Sequence, residues 1–132
     1  MAAIRLEIVT PERVVFSEDV DFIVAPGSVG YFGVLANHAP LITSMEIGEL
    51  RAKQGNQELK MAISGGFFEV KSNKAVVLAD SAEKASEIDV DRARRAKERA
   101  EERLAAKTAD IDLARAEVAL KRAITRIKVA GK

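Results

Sequence analysis

The chain has 132 residues and a formal net charge of +1, with 21 Lys and Arg against 20 Asp and Glu. It has no Cys and a single His, which excludes a disulfide framework and a Cys-ligated metal and argues against a His-based metal site. The nearly neutral total conceals an asymmetry. Residues 1–87 hold 8 basic and 12 acidic residues, whereas residues 88–132 hold 13 basic and 8 acidic residues. An acidic body followed by a basic tail predicts two small domains, over residues 1–85 and 86–132.

The first domain is predicted to consist of short strands. Its apolar residues alternate with polar ones or cluster in β-branched and aromatic runs, and Gly, Pro, Asn and Ser mark the turns between them. Such runs lie at 4–8, 14–16, 22–24, 49–53, 58–63 and 75–78. The turn Gly55-Asn56 predicts a hairpin between two of these runs. Because no helical period separates the strands, we expect an antiparallel β-sandwich or flattened barrel.

From Asp89 onward the apolar period becomes helical, in two stripes separated by the candidate N-caps Thr108 and Asp110. The stripes are Ala93, Ala96, Ala100 and Leu104, then Leu113, Ala116, Leu120, Ile124 and Ile127. We therefore predict a C-terminal antiparallel two-helix hairpin, which makes the whole chain α+β. Since Ala buries little apolar area, the hairpin should be only marginally stable alone and is a candidate moving part.

Arginines repeat with the same spacing on both predicted helices. They stand at Arg92, Arg99 and Arg103 on the first and at Arg115, Arg122 and Arg126 on the second. At 100° per residue each row spans roughly 40° of arc, so two rows of guanidinium groups can converge on a nucleotide phosphate or on an acidic partner surface. The alternative is a solvated face, because several Glu residues lie three or four positions away. Nucleic acid is not expected, since the tail has no recognised motif and no aromatic residue.

Asp89 has two possible roles at the start of the first helix. It is either an N-cap that accepts backbone N–H bonds, or an acceptor for the amino group of a ligand beside Arg92. No residue pair supplies a nucleophile with its base, and no Gly-rich phosphate loop is followed by Lys and Ser or Thr. The sequence therefore predicts a protein that is not an enzyme.

Four motifs, taken in order, resemble the epsilon subunits of F-type ATP synthases, and the likeness covers essentially the whole chain. These motifs are Val9-Thr10-Pro11, then Gly30-Tyr31-Phe32-Gly33-Val34-Leu35 with Asn37-His38-Ala39-Pro40-Leu41, then Ser64-Gly65-Gly66-Phe67-Phe68-Glu69-Val70, and Ile88-Asp89-Val90-Asp91-Arg92-Ala93. The last fits the family pattern Ile/Leu-Asp-x-x-Arg-Ala.

The resemblance implies a non-catalytic central-stalk subunit. Its sandwich would contact the gamma subunit and the c-ring, and its hairpin would either lie folded on the sandwich or extend toward the beta and alpha subunits and hinder ATP hydrolysis. The complex would lie at the cytoplasmic face of a bacterial cell membrane, which this chain would meet only through its partners. No cofactor is required by this family; ATP would be a regulatory ligand, and the role of magnesium stays open.

The resemblance also implies residue roles. Ile88, Asp89 and Ala93 would line an adenine site and Arg92 would approach the phosphates, with Arg99, Arg122 and Arg126 extending the same cleft. Tyr31 and His38 would face the c-ring, and Arg103 and Arg115 would face the catalytic head. Tyr31 stands where many bacterial members have an acidic residue, which puts a polar contact there in doubt, and His38 has the alternative role of a turn residue. The alternative function is a free-standing polyanion-binding β-domain with an Arg-rich hairpin.

Overall fold

The computed structural model describes residues 2–106 and 113–131, as eight strands, one 3-10 turn and two helices. The strands are β1 (Ile4–Val9), β2 (Val14–Val20), β3 (Phe22–Gly27), β4 (Gly30–Leu35), β5 (Leu41–Gln54), β6 (Gln57–Lys71), β7 (Lys74–Ala79) and β8 (Ala82–Lys84). The 3-10 turn Ala85–Glu87 leads into α1 (Val90–Ala106), and α2 is Leu113–Ala130. The predicted β-sandwich with a two-helix hairpin is confirmed. The proposed caps Thr108 and Asp110 lie outside the described residues.

The strands pair in the order β2-β1-β7-β6-β5-β3-β4, with β8 joined to β6. The predicted hairpin is the centre of the sheet: β5 and β6 pair from Leu41↔Val70 to Gln54↔Gln57, around the turn at Gly55. The described strand pairs are antiparallel except β1 with β7, which run parallel. The parallel pair departs from the expected all-antiparallel pattern. It arises because β1 lies between β2 and β7 in the sheet and pairs with both strands.

The core lies between the two layers that the long strands form. Leu6, Ile23, Leu50 and Phe68 are completely buried in it, as the alternating strand pattern requires. Phe32 of β4 packs edge-on against Phe68, with 5.0 Å between ring centroids. A continuous apolar core of this kind holds the sandwich together and makes it the rigid base for the hairpin.

The hairpin buries a narrow stripe of small residues. On α1, Ala93 and Ala100 are buried as predicted. On α2 the buried residues are Ala116, Ala123, Thr125 and Val129, whereas Leu113 and Ile124 of the predicted stripe are exposed. The buried face of α2 is thus rotated from the predicted one, because this helix packs against the sandwich as well as against α1. No helix in the described part of the chain is long and apolar enough to cross a membrane.

Candidate functional site

The hairpin contacts the sandwich through the C-terminal half of α2. Val129 packs with Ala62 of β6 and with Ile88, which precedes α1, in a small apolar cluster separate from the main core. Beside it, Arg126 Nε donates to Glu83 Oε1 of β8 at 2.5 Å, and Arg122 Nε donates to Ser64 Oγ of β6 at 2.7 Å. The described contacts between α2 and the sandwich thus include a small apolar cluster and two polar contacts, and α2 also lies against β5.

A cavity of about 380 Å³ lies at the junction of the hairpin and the sandwich. This volume is within the range of small-molecule sites, about 300–1,000 Å³. Its lining comes from β8, from the segment before α1, and from both helices: Glu83, Glu87, Asp89, Arg92, Ala93, Ala96, Arg99 and Arg126. The two helices thus place three of the six arginines of the predicted rows around one cavity.

The charges of the cavity are only partly neutralised by neighbours. Glu83 is engaged by Arg126, and Glu87 is engaged by Arg13 of the β1–β2 turn at 2.8 Å. Among the described residues, no ion pair engages Arg92 or Arg99. These two side chains stand seven residues apart on α1, about 10 Å along the helix axis. An extended anion would reach both of them.

Asp89 is the N-cap of α1. Its Oδ1 accepts the backbone N–H of Arg92 at 3.1 Å, and its carbonyl accepts the N–H of Ala93 at 3.0 Å. The side chain lines the cavity as well. The two roles considered for Asp89 are therefore compatible, because the capping bond uses only one carboxylate oxygen, Oδ1.

Glu87 is held in its ionised form. The backbone N–H of Lys84 donates to its Oε1 at 3.0 Å, and this bond, with the Arg13 guanidinium, holds the pKa of the Glu87 carboxyl below its usual value of 4.5. Glu87 also closes the 3-10 turn that leads into α1. The ion pair between Glu87 and Arg13 therefore attaches this wall of the cavity to the β1–β2 turn.

The remaining residues predicted for ligand binding or for the catalytic head do not line this cavity. Ile88 is buried in the apolar cluster beneath it, and Arg122 points to Ser64. Arg103 and Arg115 are exposed on the helices. Convergence of the two arginine rows is therefore confined to Arg92, Arg99 and Arg126.

Tyr31, one of the two predicted c-ring residues, lines a cavity that is shared with α2. The Tyr31 side chain packs over Gly48, and its hydroxyl accepts the Glu49 backbone N–H at 3.1 Å. His38 is half-buried in the turn after β4, with Nδ1 2.6 Å from the carbonyl oxygen of Ala39. Both residues have a structural contact of their own, and Tyr31 remains 56% exposed.

Sequence reasoning did not assign three lining residues to the site, Glu83, Glu87 and Ala96, nor Arg13, which engages Glu87. Nothing in the local pattern of Glu83 or Arg13 identifies them, because these two residues reach the site only through strand pairing and chain reversal. The charge of Glu87 just before the helical segment was a usable signal, since acidic residues are typical near helix N-termini. Across residues 2–106 and 113–131, no group of three or more His, Asp or Glu side chains is arranged to hold a metal ion.

A second surface of interest is apolar and lies on the outer face of the sandwich. Phe67 of β6 pairs directly with Leu78 of β7, and Ile42 of β5 lies on the same face two pairs further along. The three side chains are 54–68% exposed. Clustered exposed apolar side chains of this size are typical of interaction surfaces.

Comparisons with known proteins agree with this architecture. Residues 3–85 match the family profile for the ATP synthase delta/epsilon chain beta-sandwich domain, and residues 86–131 match the profile for its long alpha-helix domain. The ATP synthase epsilon chain of Pelotomaculum thermopropionicum is 63% identical over 96% of this chain and 95% of its own length. That of Desulforamulus reducens is 59% identical over 96% of both.

Among solved structures, a chain of the Euglena gracilis mitochondrial ATP synthase, in an assembly of OSCP, F1 and c-ring, superposes with a TM-score of 0.85. It is 24% identical, and the match covers all of this chain and 83% of that one. At this identity the likeness shows the fold. The curated relatives and the two profiles together cover both domains, and the chain belongs to the ATP synthase delta/epsilon chain family.

Proposed function

We propose that this chain is a non-catalytic central-stalk subunit of an F-type ATP synthase, whose helical hairpin binds ATP as a regulatory ligand and restrains ATP hydrolysis. The observation that carries the proposal is the cavity between hairpin and sandwich, where Arg92, Arg99 and Arg126 meet. A ligand in that position touches both helices and the sandwich at once. It would therefore favour the docked hairpin by its differential affinity for that state.

The chemistry of the lining supports a nucleoside triphosphate as the ligand. Arg92 and Arg99 present guanidinium groups along α1 for an extended polyanion, and guanidinium forks match phosphate oxygens. Ala93 and Ala96 supply a small apolar wall, and Asp89 offers a carboxylate oxygen to an amino group. Nothing in this arrangement pairs a nucleophile with a base, so we propose binding without hydrolysis.

The small interface supports a hairpin that can leave the sandwich. Because the apolar cluster around Val129 is small, the docked and released positions of α2 should differ little in free energy. The released hairpin would carry its basic face toward the alpha and beta subunits and oppose hydrolysis there.

The sandwich is proposed to couple gamma to the c-ring. The exposed patch of Ile42, Phe67 and Leu78 would be covered by gamma, while Tyr31 and His38 would meet the c-ring. The chain would then be peripheral, at the cytoplasmic face of a bacterial membrane, and would reach the membrane through its partners only.

Calorimetric titration of ATP into the full chain tests the ligand. We expect saturable one-to-one binding that is lost in an Arg92→Ala/Arg99→Ala variant, with no release of phosphate. Arg95→Ala is the matched control, because Arg95 lies on the same helix and does not line the cavity. Equal loss in Arg95→Ala, or no binding by the parent chain, would reject the site.

Co-purification with gamma tests the partnership. We expect a stoichiometric complex that is weakened by Phe67→Ser and kept by Ile124→Ser, an exposed apolar residue on α2. The alternative function, a free-standing polyanion-binding β-domain, predicts no complex with gamma and comparable binding of ATP and inorganic polyphosphate.

A further inference from the structure

Arg13 reaches the cavity between the hairpin and the sandwich, here called the junction cavity, from outside its wall. The residue lies in the turn between β1 and β2, where it lines a neighbouring cavity of about 230 Å³ that also includes Glu83. Its Nη2 donates to Oε2 of Glu87 at 2.8 Å, and Glu87 lines the junction cavity together with Arg92 and Arg99. A cation from the first turn of the sandwich therefore engages one of the carboxylates of the candidate ligand site.

Glu87 is held in the cavity wall by both of its carboxylate oxygens. Oε1 accepts the backbone N–H of Lys84 at 3.0 Å, while Oε2 accepts from Arg13. The Lys84 bond is the largest cause of the low pKa of the Glu87 carboxyl, and it does not depend on Arg13. Loss of the Arg13 guanidinium would therefore leave the carboxylate ionised at neutral pH and still bonded to Lys84. Its negative charge would then act on the cavity without a neutralising partner.

The position of Arg13 makes it a neutralising group that occupies no ligand space. Among the residues that the structure describes, Arg13 is the ion-pair partner of Glu87, and it is not part of the lining of the junction cavity. An anion held by Arg92 and Arg99 lies in the same cavity as the Glu87 carboxylate and is repelled by any charge on it that is not neutralised. Arg13 reduces this repulsion and leaves the whole volume to the ligand.

We propose that Arg13 is a positioning residue of the ligand site, which raises the affinity of the junction cavity for anionic ligands by neutralising Glu87 from behind the wall. The inference rests on the proposed nucleotide site and adds to it a residue of the sandwich. It requires that the effect of Arg13 disappear when Glu87 carries no charge. It also requires that salt weaken the effect, because the Arg13 and Glu87 side chains are 52% and 37% exposed.

Calorimetric titration of ATP into the full chain at low salt tests the inference. We expect Arg13→Gln to raise the Kd about fivefold, because the charge of Glu87 then opposes the phosphates. Glu87→Gln should not raise the Kd, and the double variant should bind ATP within about twofold of Glu87→Gln. In about 0.5 M salt the increase caused by Arg13→Gln should shrink to about twofold or less, since the Debye length is then only a few ångströms.

Arg5→Gln is the matched control for the loss of one positive charge. Arg5 lies on β1, pairs with Asp19 at 3.6 Å and does not line the junction cavity, so its Kd for ATP should stay within about twofold of the parent. A Kd unchanged by Arg13→Gln, an increase that persists in the double variant, an increase that high salt does not reduce, or an equal increase in Arg5→Gln would overturn the role of Arg13 and leave the nucleotide site standing. Absence of ATP binding by the parent chain would instead reject the nucleotide site and this inference together.

Discussion

The backbone N–H of Glu49 donates to the hydroxyl of Tyr31 at 3.1 Å, across the point where β3 and β5 lose their register. Tyr31 therefore supplies an acceptor that the irregular sheet does not, and its ring covers Gly48, where a Cβ would lie 2.8 Å from the hydroxyl oxygen. A residue predicted for a partner surface has a structural role as well.

Tyr31→Phe should lower the free energy of unfolding by about 1 kcal/mol, because the Glu49 N–H loses its acceptor while the ring stays in place. Urea unfolding of the full chain measures this change. Tyr31→Leu, which also removes the ring that covers Gly48, should cost more. Identical stability of the parent and Tyr31→Phe would show that water replaces the hydroxyl without loss.

Gly66→Ala should be severely destabilising. Gly66 has φ +123°, and an added Cβ would lie 2.0 Å from the Leu78 carbonyl oxygen, which is backbone and cannot move aside cheaply. Strain and overpacking together are expected to cost more than about 3 kcal/mol. Gly33→Ala is the matched control, because its nearest neighbour would be 3.8 Å away, and it should stay within about 1 kcal/mol of the parent. Thermal unfolding of both variants and of the parent measures these losses of stability.

Two substitutions of Asp89 separate its capping role from its proposed ligand role. Asp89→Ala should destabilise α1 by about 1 kcal/mol, whereas Asp89→Asn keeps an oxygen for the Arg92 N–H and should preserve the helix. Amide exchange over α1 measures the cap, and ATP titration measures the ligand. Equal ATP affinity in all three proteins would restrict Asp89 to capping.

Acid should weaken the attachment of the 3-10 turn through Glu87. Because the folded-state pKa of Glu87 is lower than its usual 4.5, its contribution to stability is fully present above about pH 4.5 and is lost as the pH falls through the lower folded-state value. Urea midpoints measured across this acid range should fall less steeply for Glu87→Gln than for the parent. Arg13→Gln should remove only part of the difference, since the Lys84 N–H is the larger cause. Parallel profiles for the parent and Glu87→Gln would contradict the assignment.

The sequence was sufficient for the fold class, because the periods of its apolar residues are local. The alternation of apolar and polar residues predicts the strands, and the Gly55-Asn56 turn predicts the central hairpin. The three- and four-residue spacing of Ala93, Ala96 and Ala100 predicts the first helix. The sequence was insufficient to predict the parallel partner of β1. That pairing joins segments about seventy residues apart, and the local pattern of neither segment indicates it.

For the candidate site, the sequence by itself determined which side chains can meet an anion, since a repeated arginine spacing fixes a face on each helix. Only the tertiary structure decided how these arginines are used. Arg122 and Arg126 belong to one predicted row, yet the pairing of β8 with β6 brings Ser64 to the first and Glu83 to the second. Helical periodicity determines the direction in which a side chain leaves its own helix axis. The partner that this side chain meets across an interface depends on strands that the whole fold brings together.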